Sequence, residues 1–476
     1  MNIFGILKDK GFDVVPESFY EHIKTWRSWY DGDVKKFHDY YVKTGKNRVK
    51  CRRYSMGMGK KVSEDWANLL LNEKVAITLE GEKEQAFIDE VLKENNFAVK
   101  ANEMQEMKAA LGTAAYIPRV VGASVTESGA LTGRAEAIKL DYCTAENIFP
   151  LSWENGTVTE CAFAARIARR DDKYIYLQTH HLEGGLYVIE HDMYKDVNGE
   201  LTAVPMATVT GFENIPARVS TNSNKPQFVI DRLNIANNID VTLPLGIAAF
   251  ANAIDQLKGV DVAYDSYVNE FTLGKKRIMA KPEAVRWEGA YGDGEPVFDE
   301  NDVVFYVLPE DGANGSIIQP IDMSLRIAEH SAGIQDMLNV LSAKCGFGER
   351  HYRFEGGSVA TATQIISENS TLFRTLKKHE IILEGVLVEL CRILLRLGNT
   401  YMGAGLREDV EISIDFDDSI IEDKDKDFAR DMQMMSAGVL NAWEFRAKWM
   451  NEDEETAKAA LPGMEDMTDE GQNEIE

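Results

Sequence analysis

The sequence predicts an α+β protein made of several domains. Three observations lead there. The first 240 residues alternate between helical and strand-like patterns. Beyond about Asp240 long helical stretches take over, with a short β-rich module set between two of them. The chain has 476 residues, too many for one compact core, so roughly two to four domains are expected.

The elements follow in chain order. "PESFYEHIKTWRSWYDGD" opens as a helix, with Phe19, Ile23, Trp26 and Tyr30 at spacings of three and four. "KKVSEDWANLLLNEKVAITL" continues as helix and then strand: Val62, Trp66, Leu69 and Leu70 share a face, and Val75, Ile77 and Leu79 alternate. From Ala114 to Val209 the pattern is strand-like, with Asn155-Gly156 and Asn198-Gly199 as turn signals. "LPLGIAAFANAIDQLKGVDVAYDSYVNEF" predicts a helix of roughly 27 residues. Ile247, Phe250, Ile254, Leu257, Tyr264, Val268 and Phe271 form its seam, which Asp261 interrupts. A β-rich module follows to Gln319, its turns marked by Gly292-Asp293-Gly294 and Asp311-Gly312. Helix resumes with Asp322 as N-cap and Ile327, Ile334, Leu338, Leu341 and Cys345 on one face.

The longest predicted helix starts at Ser358. Its seam runs Ile365, Asn369, Leu372, Leu376, His379, Leu383, Val386, Leu390, Ile393, Leu397, and Gly398-Asn399 stops it. At ~1.5 Å per residue this is a rod of roughly 58 Å. "REDVEISIDFDDSIIEDKDKD" holds one strand and a charge run. "FARDMQMMSAGVLNAWEFRAKWM" is a final amphipathic helical region, and the acidic end is expected to be partly disordered.

Composition narrows the function. Hydrophobic residues make up 44% and charged residues 27%, as in ordinary globular proteins. No run of eighteen apolar residues is present, so no membrane span is expected, and "MNIFGILKDKGF" does not read as a signal peptide. Cys51, Cys143, Cys161, Cys345 and Cys391 are scattered without metal-ligand spacing, which suits a reduced cytosolic protein. The net charge is −26. A protein that grips nucleic acid tightly shows a basic face, so this chain either avoids it or touches it weakly through a few local cations.

One stretch stands out against that acidity. "CGFGERHYRFEGGSVATATQ", Cys345 to Gln364, mixes glycines with Arg350, His351 and Arg353 and follows Lys344. It lacks the lysine-serine pair of a P-loop and the third glycine of a dinucleotide fold, and a helix precedes it. It reads as either a helix connector or a loop exposed to a polyanion.

Other groups carry less. His180 and His181 are adjacent in a strand and point to opposite faces, so with His191 beyond they do not make a metal set. The Asp-rich run from Asp415 to Asp427 lacks EF-hand spacing. No nucleophile elbow, H-E-x-x-H or C-x-x-C is present, so neither a catalytic constellation, a metal site nor a cofactor is expected.

The order of elements resembles the portal proteins of tailed phages that infect Gram-positive bacteria, over most of the chain. The resemblance rests on "YDGDVKKFHDYYV", "GKKVSEDWANLLLNEKV", "LPLGIAAFANAIDQLKGVDVAYDSYVNEF" and "TATQIISENSTLFRTLKKHE". It implies a ring of typically twelve subunits at one capsid vertex, with double-stranded DNA passing through its channel. The implied partners are the terminase large subunit, the major capsid and scaffolding proteins and a head-completion or adaptor protein. The protein would be assembled in the host cytoplasm and located in the virion, with no ATP hydrolysis of its own. The resemblance also implies a portal fold. The wing would take residues 1–240, a stem helix 241–274, the clip 275–320, a second stem helix 321–345 and the tunnel loop 346–357. A long helix, 358–399, would lead to a strand returning to the wing, 400–424, and the crown and acidic tail would be 425–476. Lys344, Arg350, His351 and Arg353 would then meet DNA, and Gly346, Gly348, Gly356 and Gly357 would be loop hinges. In the clip, Trp287, Tyr291 and Phe298 would contact partners, with Phe305 also available. Two other readings compete: a different oligomeric head–tail structural protein without a channel, and a carboxylate-dependent hydrolase.

Overall fold

The computed structural model describes residues 2–44, 47–72, 75–125, 131–132, 134–170, 172–273, 277–280, 287–288, 295–296, 305–307, 318–321, 324–354, 362–416, 424–450 and 452–461. Helix and strand are mixed throughout, as an α+β chain requires. The residues divide into two compact units, Met1–Phe416 and Asp417–Glu476.

In the larger unit the Glu17–Tyr30 helix buries Phe19, Ile23 and Trp26, while the Tyr30 hydroxyl donates to Glu106 (2.6 Å). The Met58–Leu70 helix buries Val62, Trp66 and Leu70 and leaves Leu69 half-buried. A six-stranded antiparallel sheet takes the strands from Ile148–Glu154 to Glu200–Val204 in sequence order, with Arg218–Ser220 pairing Leu186–Val197. Both Asn-Gly signals are hairpin turns with positive φ at each residue (49° and 78°; 56° and 89°), the geometry that two-residue hairpins prefer. A three-stranded sheet sets Thr113–Val121 between Val229–Arg232 and Ala137–Thr144. Late in the chain, Ile412–Asp415 pairs antiparallel with Ala76–Leu79.

The helix expected from about Leu243 begins only at Ile254 and runs to Leu273, 20 residues. Residues 243–250 are irregular yet deeply buried, with Leu245, Ile247 and Phe250 at 0–1% exposure. Their periodicity is that of a core segment threaded past another backbone. Ala249 N–H donates to Ala109 O (2.8 Å), and Gly246 passes Gly112 so closely that neither position has room for a Cβ. Asp261, the break in the seam, is 3% exposed. It accepts from Met56 N–H (2.8 Å), the Ser55 hydroxyl (3.1 Å) and His38 Nε2 (2.9 Å). His38 Nδ1 accepts from Val34 N–H (2.9 Å), so the ring proton sits on Nε2 and donates to Asp261.

The Ile327–Lys344 helix packs on the Ile254–Leu273 helix and buries Ile334, Leu338 and Leu341, with Ile327 exposed; the proposed cap Asp322 lies outside the described residues. Arg326 binds Glu270 through Nε and Nη2 (3.1 and 2.9 Å). That hydrogen bond, ahead of the Arg326 charge, holds the Glu270 carboxyl down at about 2. Between these helices Arg277–Ala280 pairs with Phe305–Val307 in parallel and with Ile318–Ile321 antiparallel, and Trp287–Glu288 pairs with Glu295–Pro296.

The long helix, Ala362–Leu397, has 36 residues, about 54 Å of rod. From Leu372 onward every seam residue the spacing selects is buried, His379 included. The expected cap Ser358 lies outside the described residues, as do the side chains of Ile365 and Asn369. In the smaller unit Lys424–Ser436 and Ala442–Met450 are separate helices, broken where Gly438 takes φ +71°. Phe428, Phe445 and Trp449 cluster between them, and Asp431 accepts from Lys448 and Trp449.

The deepest polar contact joins Lys108 to Asp231 (3.0 and 3.2 Å), both at 0% exposure; Gln105 donates to the same carboxylate (2.7 Å). Burial pulls the Lys108 amine below its usual range, and the Asp231 charge opposes that. Removing one member of such a pair strands the other charge. Lys108→Met should therefore cost about 3–5 kcal/mol in urea unfolding, and adding Asp231→Leu should recover most of that loss.

Three buried rings predict the acid response. Burial pushes His180 down to about 3 and His191 to about 4, and takes His379 to about 3 with help from the Lys108 charge. An unfolded chain protonates these rings near pH ~6.5, whereas the folded one resists until pH ~3–4, so stability should fall as pH drops through that window. His180 lies between Phe163 and Phe228 with neither ring nitrogen hydrogen-bonded. His180→Phe should therefore flatten the pH dependence of the urea midpoint between pH ~6.5 and ~4.

Candidate nucleic-acid interface

The basic stretch begins as a helix cap. Gly346 N–H donates to Ala343 O (3.3 Å) and Phe347 N–H to Ser342 O (3.1 Å), with Gly346 at φ +89°. This is the Schellman pattern, which favours glycine at that position. A Cβ at Gly346 would also meet Thr375 at 2.9 Å and Trp66 at 3.3 Å. Gly346 is thus a packed cap; the capping signal, glycine directly after the last periodic residue, was available in the sequence.

Aromatic packing then fastens the chain to the body. Trp66, 0% exposed, donates from Nε1 to Cys345 O (3.1 Å), stacks on Phe347 (4.7 Å) and meets His379 edge-on (4.9 Å). Phe347 stacks in turn on His351 (4.4 Å, 11°). Gln335 donates to Tyr352 O (2.8 Å) and accepts from Phe354 N–H (2.7 Å). The segment to Phe354 is therefore anchored by Trp66, Phe347 and Gln335, none of which the sequence singled out as loop anchors.

Lys344, Arg350, His351 and Arg353 are all exposed. Arg350 holds φ +63°, a left-handed conformation that costs a non-glycine residue roughly 1 kcal/mol. His351 stays in touch with the body of the protein: besides its stack on Phe347, Nε2 lies 3.5 Å from Asp65. Partial burial works against the Asp65 charge, but hydrogen bonds from His351 and Lys61 outweigh it and hold the carboxyl below its usual range. Gly348 sits at φ +85°; Gly356 and Gly357 lie outside the described residues. Of the aromatic residues in the β-rich module, the Trp287 backbone pairs with Pro296, and Tyr291 and Phe298 lie outside the described residues.

Elsewhere, His181 gathers with Glu183 and Glu190 on the outer face of its sheet, while His180 points to the opposite face. Arg218 bridges Glu183 and reaches Glu190 (3.8 Å), and Lys10 holds Glu190 (2.9 Å) and Asp192 (2.6 Å). Arg218 and Lys10 between them pair with all three of these carboxylates, so the cluster is an ion-pair network. Among the described residues no helix is long and apolar enough to cross a membrane.

No curated protein matches the chain. A family model described as phage portal protein, SPP1 Gp6-like, matches residues 16–474, nearly the whole sequence and every element described above from the Glu17–Tyr30 helix onward. Taken with the mixed α and β architecture, that match places the chain in the SPP1 Gp6-like family of phage portal proteins.

Proposed function

We propose that this chain is one subunit of a ring-shaped channel at a capsid vertex, through which double-stranded DNA is packaged and later ejected. The family match across residues 16–474 carries this reading. In the proposed assembly the ring is a homo-oligomer of typically twelve subunits in the virion, working as a structural conduit and not as an enzyme. It docks the terminase large subunit and later a head-completion or adaptor protein, and meets the major capsid and scaffolding proteins.

The chemistry suits that role. A channel must let a duplex slide, and strong phosphate neutralisation would hold it in place. An acidic chain of net charge −26 offers few such contacts. On this reading Lys344, Arg350 and Arg353 supply weak, sequence-independent phosphate contacts, repeated once per subunit. His351 joins them only by leaving Asp65 and Phe347. The β-rich module at 275–320, between the two helices assigned to the stem, is the proposed docking site for terminase.

Negative-stain microscopy down the symmetry axis tests the ring: a central hole wide enough for a duplex is expected, and a monodisperse monomer at all concentrations would refute the reading. The double change Arg350→Ser with Arg353→Ser should leave ring formation intact and shift stability by no more than about 0.5 kcal/mol, as exposed substitutions do. DNA content per particle should fall, and the deficit should narrow at high salt, where the same contacts are already screened in the unmodified chain. His351→Ser should behave differently, lowering stability by about 1 kcal/mol through the lost stack on Phe347 and the lost contact with Asp65. If the double change abolished the ring, the two arginines would be interface groups instead.

Trp287→Ala and Tyr291→Ala should each weaken terminase pull-down while rings persist, since aromatic side chains are favoured anchors at interfaces. Unchanged capture with both variants would remove these two residues from the docking surface.

A further inference from the structure

The strands Asp39–Thr44 and Asn47–Arg52 form a two-stranded antiparallel ribbon whose two faces differ in kind. The register places Asp39, Tyr41, Lys43, Arg48, Lys50 and Arg52 on one face, and Tyr40, Val42, Val49 and Cys51 on the other. Residues 41–43 and 48–50 are all exposed, with Tyr41 at 58%, Val42 at 43% and Val49 at 49%. An apolar pair, Val42 opposite Val49, thus stands in solvent on a ribbon that would be marginal by itself.

The charge is equally unusual. Residues 39–53 hold six Lys or Arg and one Asp, a local +5; the chain carries −26, so the remainder carries −31. Asp39 already pairs with Lys50 (2.8 Å), and Arg52 with Asp33 (2.9 Å). Lys43 has no ion-pair or hydrogen-bond partner among the described residues, and Arg48 lies over the Tyr41 ring (5.3 Å). The base of the ribbon is firmly held. Arg53 N–H donates to His38 O (2.8 Å), Tyr54 N–H to Asp265 (3.0 Å) and Met56 N–H to the buried Asp261 (2.8 Å). A fixed base with exposed strands that present two different faces at 41–43 and 48–50 is the geometry of an arm.

We propose that this ribbon is an assembly arm that docks onto a second copy of the same chain, its basic face against acidic groups and its Val42–Val49 face against apolar ones. The proposal rests on the ring reading above and adds the contact that would join neighbours. The charge complementarity is internal to the sequence: the arm is +5 and every surface outside it belongs to a chain portion of −31. The apolar face selects protein over nucleic acid, because a phosphate backbone would satisfy Lys43 and Arg48 but leave Val42 and Val49 uncovered. A surface of the required kind exists on the Ile327–Lys344 helix, where Met337 (42% exposed) and Val340 (48%) accompany exposed Asp336.

Cys51 provides the probe. It lies on the apolar face of the arm and is partly exposed, whereas Cys143, Cys161, Cys345 and Cys391 are buried. In the full-length chain, maleimide labelling of Cys51 should be about tenfold slower in assembled particles than in dissociated subunits. Benzophenone-maleimide on Cys51 should photocross-link to acidic peptides of a second copy. The variant Lys43→Glu, Arg48→Glu, Lys50→Glu should weaken self-association about tenfold or more, since like charges would then face each other, while leaving the circular dichroism spectrum unchanged. Rings in which Cys51 labels as fast as in free subunits, with normal assembly of the triple variant, would overturn the arm and leave the ring reading standing. A chain that forms no oligomer at all would overturn both. Cross-linking of Cys51 to DNA in place of protein would overturn the arm in favour of nucleic-acid contact.

Discussion

Trp66 is the contact on which the packing around the basic segment of the larger unit depends. Its ring lies between three elements far apart in sequence. Nε1 donates to Cys345 O, one face stacks on Phe347 and one edge meets His379 of the long helix. His379 Nδ1 in turn accepts from Asn234 N–H (3.1 Å), at the end of the three-stranded sheet. One fully buried indole therefore sets the exit direction of the basic segment relative to both helices. A buried indole N–H needs an acceptor, and a capped helix end offers a carbonyl oxygen for it.

The acidic composition has two separate uses. Among the described residues most carboxylates are not buried, but a few are interior anchors. Asp261 receives three donors from the base of the basic ribbon, and Asp231 receives Lys108 and Gln105 beneath the sheet. In both cases the charge is buried with its hydrogen-bonding capacity largely filled, the condition under which an interior carboxylate is tolerated. Both contacts, the His38 hydrogen bond to Asp261 and the Lys108–Asp231 ion pair, join segments over 100 residues apart and so tie distant parts of the chain together.

Periodic features were legible in the sequence and tertiary ones were not. The long-helix seam from Leu372 to Leu397 is buried as its four-three spacing requires, and both Asn-Gly pairs make the turns their chemistry favours. Leu243 to Phe250 shows the same spacing without the helix, because the passage of Gly246 over Gly112 takes precedence over local propensity. Asp261 looked like a flaw in an apolar seam, since its partners Ser55, Met56 and His38 lie about 200 residues upstream. The basic stretch was legible as unusual but not in its division of labour. Composition gives Arg350, His351 and Arg353 equal standing, and only the fold shows that His351 stacks on Phe347 and approaches Asp65.

That division bears on how a weak contact could act in the proposed channel. A cation on a fully mobile loop spreads its charge over a large volume, and each encounter with phosphate costs ordering entropy. Between Cys345 and Phe354 the chain instead has a Schellman cap, a buried stack and two Gln335 hydrogen bonds holding its root. Arg350 departs from that root at a left-handed residue, so its backbone is placed even though its side chain is exposed. Placement makes identical contacts recur at one height around a ring, while exposure keeps each of them weak and screened. On the proposed reading, affinity is limited per subunit and position is fixed by packing, which lets a duplex be guided without being held.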